Sequence, residues 1–209
     1  MRILSHKKER FNDVVNNYSA LYSYANDKEQ LALSAGVLNF IWNHWNNFWR
    51  DYWIAHVSGG YDTNDNPIAP IYNNYTDKQS CHYLLYACGK KNNHVHGTAI
   101  IAVHQEATWG DPRIMTDIAT KMLPHHAHMN YLLGLIGHYQ TYIEHFQRIR
   151  NSFIHLNNEN VFNLNSLTGY YLFAPNHRLI DILETTEIHS STRCFDNLLG
   201  NMTGLIQNL

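Results

Sequence analysis

Charge is scarce in this chain. Lys, Arg, Asp and Glu together make up 15% of its 209 residues, where an average soluble domain carries about 25%. The formal net charge is −2, so the global basic footprint of a dedicated nucleic-acid-binding protein is missing. Cysteine is nearly absent: Cys81, Cys88 and Cys194 form an odd, sparse set with no C-x-x-C pair. That excludes a disulfide framework and suits a reducing compartment. Long apolar runs are lacking too. A stretch such as Thr98–Val103 falls far short of the roughly 20 residues a membrane span needs, and residues 1–8 contain no apolar core of a signal peptide. The expectation is a soluble cytoplasmic protein with no membrane association.

Apolar and amphipathic residues fill the space that charge leaves. Hydrophobic residues reach 44% and aromatics 13%, enough to bury a sizeable core and to exclude disordered and fibrous classes. The chain also has 15 histidines and repeated Asn-Asn pairs, from Asn16-Asn17 to Asn157-Asn158, so its surface is polar more than charged. The length fits one domain over 1–209.

The hydrophobic period is helical almost throughout. Residues 6–25 and 28–57 read as two helices, the second with Trp42, Trp45, Trp49 and Trp53 on one face. That ladder is packing surface, in the core or between two copies, with base stacking as the lesser alternative. Ser58-Gly59-Gly60 ends the helix as a C-cap signal, and 60–76 reads as a long loop. Thr76 and Gln79 fit a capping box before a helix over 77–88, whose Cys81 and Cys88 read as buried thiols. Residues 94–109 are open between a strand and a helical turn. Asp111-Pro112 marks an N-cap and first helical position for a helix running to about Leu123. The longest helix is expected over about 125–156, stopped at Asn157-Asn158, with shorter helices in 159–171, 176–185 and 189–207. The fold class is all-α: a helical bundle with a long loop near 58–76 and one ambiguous segment near 94–109.

The longest of these helices ends Arg148-Ile-Arg150-Asn151-Ser-Phe-Ile-His155. At about 100° per residue, Leu135, Tyr142, Phe146, Ile149 and Phe153 share one face. Glu144, Arg148, Asn151 and His155 form a polar stripe on the opposite face. Arg150 lies about 140° from His155, at the edge of the apolar face.

Arg150-Asn151-x-x-x-His155 resembles the R-N-x-x-x-H signature of HEPN-domain ribonucleases (higher eukaryotes and prokaryotes nucleotide-binding domain). The resemblance covers the motif and its all-helical setting, with a HEPN-like core over about 28–171 and further C-terminal helices in 176–207. It implies a metal-independent endoribonuclease of toxin or phage-defence type, without cofactor, in which two copies of the motif meet in a homodimer cleft. It also implies RNA as substrate and an antitoxin or defence-system protein as a further partner.

The residue types suit that chemistry. A ribose 2′-OH attacks the neighbouring phosphate while His155 moves the proton. Arg150, bidentate toward phosphate, stabilises the transition-state charge. Asn151 orients the imidazole or a phosphate oxygen, and Glu144 holds an arginine in position. Arg148, Lys90 and Lys91 are the candidate RNA contacts. Family toxins silenced by nucleotidyl transfer carry a tyrosine two residues beyond the histidine; Asn157 stands there instead, which argues against that mode of control.

Two readings from other classes compete. One is a non-catalytic helical binding or assembly module that uses the R-N-x-x-x-H face for nucleotide or protein contact; apart from it, the plain reading of the two residues is a surface Arg150 paired with a glutamate and His155 capping the helix. The other is a helical bundle binding a divalent metal through histidines, suggested by His94-x-His96, by His125-His126-x-His128, and by His44, His128 and His138 on separate segments. Ten residues separate His128 from His138, about 15 Å of helix rise, so those two cannot share an ion.

Overall fold

The computed structural model describes residues 2–21, 27–155, 164–173 and 179–209. Six helices dominate them: α1 (Leu4–Leu21), α2 (Asp27–Ser58), α3 (Asp77–Ala87), α4 (Pro112–Met122), α5 (Met129–Ile154) and α6 (Cys194–Gln207). A two-stranded antiparallel ribbon, β1 (Gly60–Tyr61) and β2 (Pro67–Ile68), and 3₁₀ turns at Val103–Gln105 and Leu179–Glu184 complete the described elements. The fold is all-α, as the hydrophobic period predicts. The Asn157-Asn158 stop lies outside the described residues.

Local signals act where the sequence places them. The Thr76 hydroxyl accepts the Gln79 backbone N–H, and the Gln79 side chain accepts from the Thr76 N–H, closing the capping box of α3. The Asp111 carboxylate accepts from the N–H groups of Arg113 and Ile114, with Pro112 at the first helical position of α4. Gly59 ends α2 at φ +93° and donates to the Ala55 carbonyl, a conformation that costs glycine little.

Several sequence expectations need correction. The 58–76 loop contains the β1–β2 ribbon. Residues 94–109, open between a strand and a helical turn, hold the 3₁₀ turn Val103–Gln105, and the Gln105 side chain accepts from the Ile101 and Ala102 N–H groups that a strand ladder would need. The longest helix is α2, with 32 residues, rather than α5, with 26. Helix α5 starts at Met129, since residues 123–128 form turns after Pro124. Its buried stripe runs through Leu132, Ile136, Ile143, Phe146, Ile149 and Phe153. Leu135 and Tyr142 are only half-buried, because the stripe follows the adjacent positions 136 and 143.

The chain divides into two compact units. The first comprises residues 1–11, 44–138 and 207–209. Its core is the tryptophan ladder: Trp45, Trp49 and Trp53 are fully buried, with Trp45–Trp49 and Trp49–Trp53 ring centroids 5.5 and 5.4 Å apart. No face of these rings remains for a base. Trp45 and Trp53 donate their indole N–H groups to the carbonyls of Gly110 and Trp109, at 2.8 and 3.2 Å. A Cβ at Gly110 would stand 2.3 Å from the Trp45 ring, so glycine is the residue that admits this approach.

Beside the ladder runs a charged network. Asp51 pairs with Arg2 and Lys7, Asp77 pairs with Arg2 and Arg50, and Arg50 grips Glu106 through two N–H donors. Cys81, buried as expected, lies against Arg50.

The second unit comprises residues 12–43 and 139–206. Trp42 stacks on Phe146 at 6.0 Å. Helix α6 buries Phe195, Leu198, Leu199, Met202, Leu205 and Ile206, the 3–4 spacing of one helical face.

Candidate functional site

The R-N-x-x-x-H residues lie wholly within the second unit, on the last turns of α5. Ile149 and Phe153 are buried, which sets the helix rotation and leaves Arg150 half-buried at the edge of the apolar face. Its guanidinium points at two amides. Nη1 donates to Asn151 Oδ1 at 2.9 Å and Nη2 donates to Asn39 Oδ1, on α2, at 2.5 Å. The Nε–H is buried without a partner among the described residues. Burial lowers the Arg150 pKa, though a guanidinium stays protonated at neutral pH. The result is a partly desolvated cation whose described partners are both uncharged.

His155 follows directly on the last helical residue and is exposed. Its backbone N–H closes the final turn on the Asn151 carbonyl at 2.8 Å. Asn151 therefore contacts both motif residues, Arg150 through its side chain and His155 through its backbone. That side-chain contact makes Asn151 a positioning group for the arginine. Glu144 accepts from Gln140 Nε2 at 2.9 Å and faces Arg148 at 3.9 Å, so the arginine it holds is Arg148. Arg148 also donates to Ser166 Oγ at 3.0 Å. Lys90 and Lys91 are exposed on the turn after α3, in the first unit, both donating backbone N–H groups to the Leu85 carbonyl.

Asn39 is the participant that sequence reasoning missed. It lies 111 residues from Arg150, and an isolated Asn on an amphipathic helix carries no local signal of a partner that distant.

His145, next to Glu144 in sequence, faces inward instead. Its Nδ1 lies 3.2 Å from the Tyr171 hydroxyl and its ring packs edge-on against Tyr170 and Tyr171. Burial, reinforced by Arg148, pushes its pKa down to about 4. The unfolded chain thus binds a proton near pH 6.5 that the folded chain refuses, so stability falls with pH from about 6.5 toward 4. We expect a loss of about 1–2 kcal/mol from this group by pH 5, read from urea unfolding. His145→Gln should remove that increment, and an identical pH slope in the variant would refute the assignment.

The proposed histidine ligands are not gathered as the sequence suggested. Among the described residues no three His, Cys, Asp or Glu groups stand ready to hold a metal ion. His128 meets His56 of α2 rather than His44 or His138, with the two Nε2 atoms 2.9 Å apart. His94 packs with His82, Tyr72, Tyr75 and Tyr83. No described helix is long and apolar enough to cross a membrane.

The chain matches no family model, and neither the curated proteins nor the solved structures include a significant match.

Proposed function

We propose that this protein is a metal-independent endoribonuclease of the HEPN type, acting as a toxin or phage-defence effector, with Arg150 and His155 as its catalytic residues. The observation that carries the reading is the Arg150 guanidinium, half-buried and held by Asn39 and Asn151 with no carboxylate among its described partners. Partial desolvation without charge compensation makes a guanidinium a strong attractor of phosphate. An imidazole one helical turn beyond Asn151 supplies the group for proton transfer.

In the proposed reaction His155 accepts the proton of a ribose 2′-OH, whose oxygen attacks the adjacent phosphorus. Arg150 stabilises the charge on the pentavalent transition state, and the 5′-oxygen leaves with the proton that the His155 imidazolium gives back. The products carry a 2′,3′-cyclic phosphate and a 5′-OH. Arg150 is held by Asn39 and Asn151 within its own chain, and in the proposed homodimer a second copy of the motif completes the cleft.

The test is an RNA in which one deoxyribose stands 5′ to the cleaved bond. Cutting should stop at that bond alone, and EDTA should leave cleavage elsewhere unchanged. Continued cutting at the deoxy position would overturn the mechanism.

A further inference from the structure

The tryptophan ladder is closed to bases, but the first unit carries a second aromatic cluster that reaches the surface. It joins α3, the loop before it and the irregular segment after it. Tyr72 stacks on Tyr75, with ring centroids 4.6 Å apart and planes 14° apart. Tyr83 meets the Tyr72 and His94 rings edge-on, at 5.4 and 5.2 Å. His96 packs edge-on against Tyr72 and Tyr75, at 5.5 and 5.1 Å. Tyr75 and Tyr83 are the buried floor, while Tyr72 and His94 are half-buried and His96 is exposed.

Hydrogen bonds fix these rings in advance. The Gly97 N–H donates to the Tyr75 hydroxyl at 3.0 Å, and His94 Nε2 lies 3.3 Å from the same oxygen. A hydroxyl that already accepts is best satisfied by giving its own proton to the imidazole. That leaves the His94 proton on Nδ1, 3.3 Å from His82 Nδ1. The segment is also tied to α3: the Gln79 side chain donates to the Gly97 carbonyl, and the Ile100 N–H donates to the Lys78 carbonyl. Burial and the neighbouring His82 and His96 lower the His94 pKa, so the ring is neutral at pH 7.

Charge around the cluster is mostly of one sign. Between residues 69 and 105 Asp77 is the sole acidic side chain, against Lys78, Lys90 and Lys91, and Asp77 is taken by Arg2 and Arg50. Lys91 acts electrostatically on His82, whose ring contacts His94. Lys121 of α4 stands over the Tyr86 ring at 4.6 Å, and Tyr86 lies 6.1 Å from His94. That helix adds one acid, Asp117, a turn earlier. Lys90, Lys91 and Lys121 are exposed, and none forms an ion pair among the described residues. Val95 and Ile101 beside them are 58% and 82% exposed, apolar surface that the isolated chain leaves uncovered. An unpaired nucleic-acid strand suits both features, since its bases stack on rings and its phosphates meet ammonium groups. A purely apolar partner would leave the lysines unpaired.

We propose that Tyr72, His94 and His96, with Lys90, Lys91 and Lys121, form a binding surface for single-stranded RNA. The choice of RNA rests on the ribonuclease reading; recognition of an unpaired strand rests on the rings and lysines alone.

Fluorescence anisotropy with a labelled 2′-O-methyl strand of about 12 nucleotides tests it. Its blocked 2′ oxygens cannot attack phosphate, so binding is read whether or not the chain cuts RNA. Saturable binding is expected, and the same sequence as a blunt duplex should bind at least about fivefold more weakly, because paired bases cannot stack on the rings. His96→Ala should weaken binding of the strand about fivefold or more, the weight of one stacked base. Replacing Lys90 and Lys91 together by alanine should lower the slope of log affinity against log salt by about 1.4, for two phosphate contacts. Arg10→Ala, which removes an exposed cation of α1, should bind as the parent does. All these side chains are exposed, so the variants should keep the circular dichroism of the parent. No saturable binding by the parent, equal binding of strand and duplex, or binding unchanged by both His96→Ala and the lysine pair would overturn the proposal and leave this face to a protein partner. A chain that binds the blocked strand yet leaves ordinary RNA uncut would overturn the catalytic reading and leave the strand-binding surface standing.

Discussion

Replacing His155 with alanine is expected to lower RNA cleavage by about 10²–10⁴-fold, the usual weight of a general acid–base group. The side chain is exposed just beyond the end of α5, so the variant should keep the circular dichroism and unfolding midpoint of the parent. Arg150→Ala is expected to cost a similar factor by removing charge stabilisation in the transition state. Arg150→Lys should not restore it, because a single ammonium cannot span Asn39 and Asn151 and still present a fork to phosphate. Asn39→Ala provides the positioning control. It leaves the guanidinium present but unheld, and should reduce cleavage less than Arg150→Ala does. A folded His155→Ala protein that cuts RNA at the parent rate would refute the catalytic assignment and favour the non-catalytic binding module.

The second large effect concerns stability. Glu106→Ala is expected to destabilise the first unit by about 2 kcal/mol, below the cost of stranding one partner of a fully buried ion pair because Arg50 is part-exposed. Glu106 is nearly buried. It accepts two N–H bonds from Arg50, at 2.6 and 2.8 Å, and one from the Trp109 indole at 2.8 Å. Burial alone would raise the Glu106 pKa, but the bonds from Arg50 and Trp109 hold it below the usual carboxylate range. Removing the carboxylate leaves Arg50 with Asp77 at 3.6 Å, a longer and more exposed partner that recovers only part of the loss. Glu106→Gln keeps an acceptor for Trp109 and should cost less. Exchanging both Arg50 and Glu106 for apolar residues of similar volume should restore much of the stability, since a desolvated pair gains little over good packing. Urea unfolding of the three variants checks the order. A Glu106→Ala midpoint equal to that of the parent would show that Asp77 takes over the pairing.

Much of the fold was legible because its signals are local. The capping box at Thr76–Gln79, the Asp111-Pro112 start of α4 and the Gly59 stop of α2 each satisfy backbone groups within four residues. The helical spacing of Trp45, Trp49 and Trp53 needed only the 3.6-residue period to predict a buried face. The ambiguous 94–109 segment was not legible, because a single side chain, Gln105, decides where its amides bond. Helix α5 begins at Met129, later than the predicted start near 125, and its buried stripe was misplaced by one position at Leu135 and Tyr142. A drift of that size follows from what the helix packs against, which its own period does not contain.

The sequence by itself determined the all-α class, the main helix ends and the placement of Arg150, Asn151 and His155 together at the end of α5, because each depends on neighbours within a turn or two. Only the tertiary structure decided what those residues and the histidines meet. Asn39 reaches Arg150 across 111 positions, His128 reaches His56 across 72, and Glu106 reaches Arg50 across 56. A hydrogen bond or ion pair forms where packing brings two side chains within about 3 Å. Distance in space between such residues is set by how the apolar faces of separate helices close on one another, and no periodicity along the chain records it.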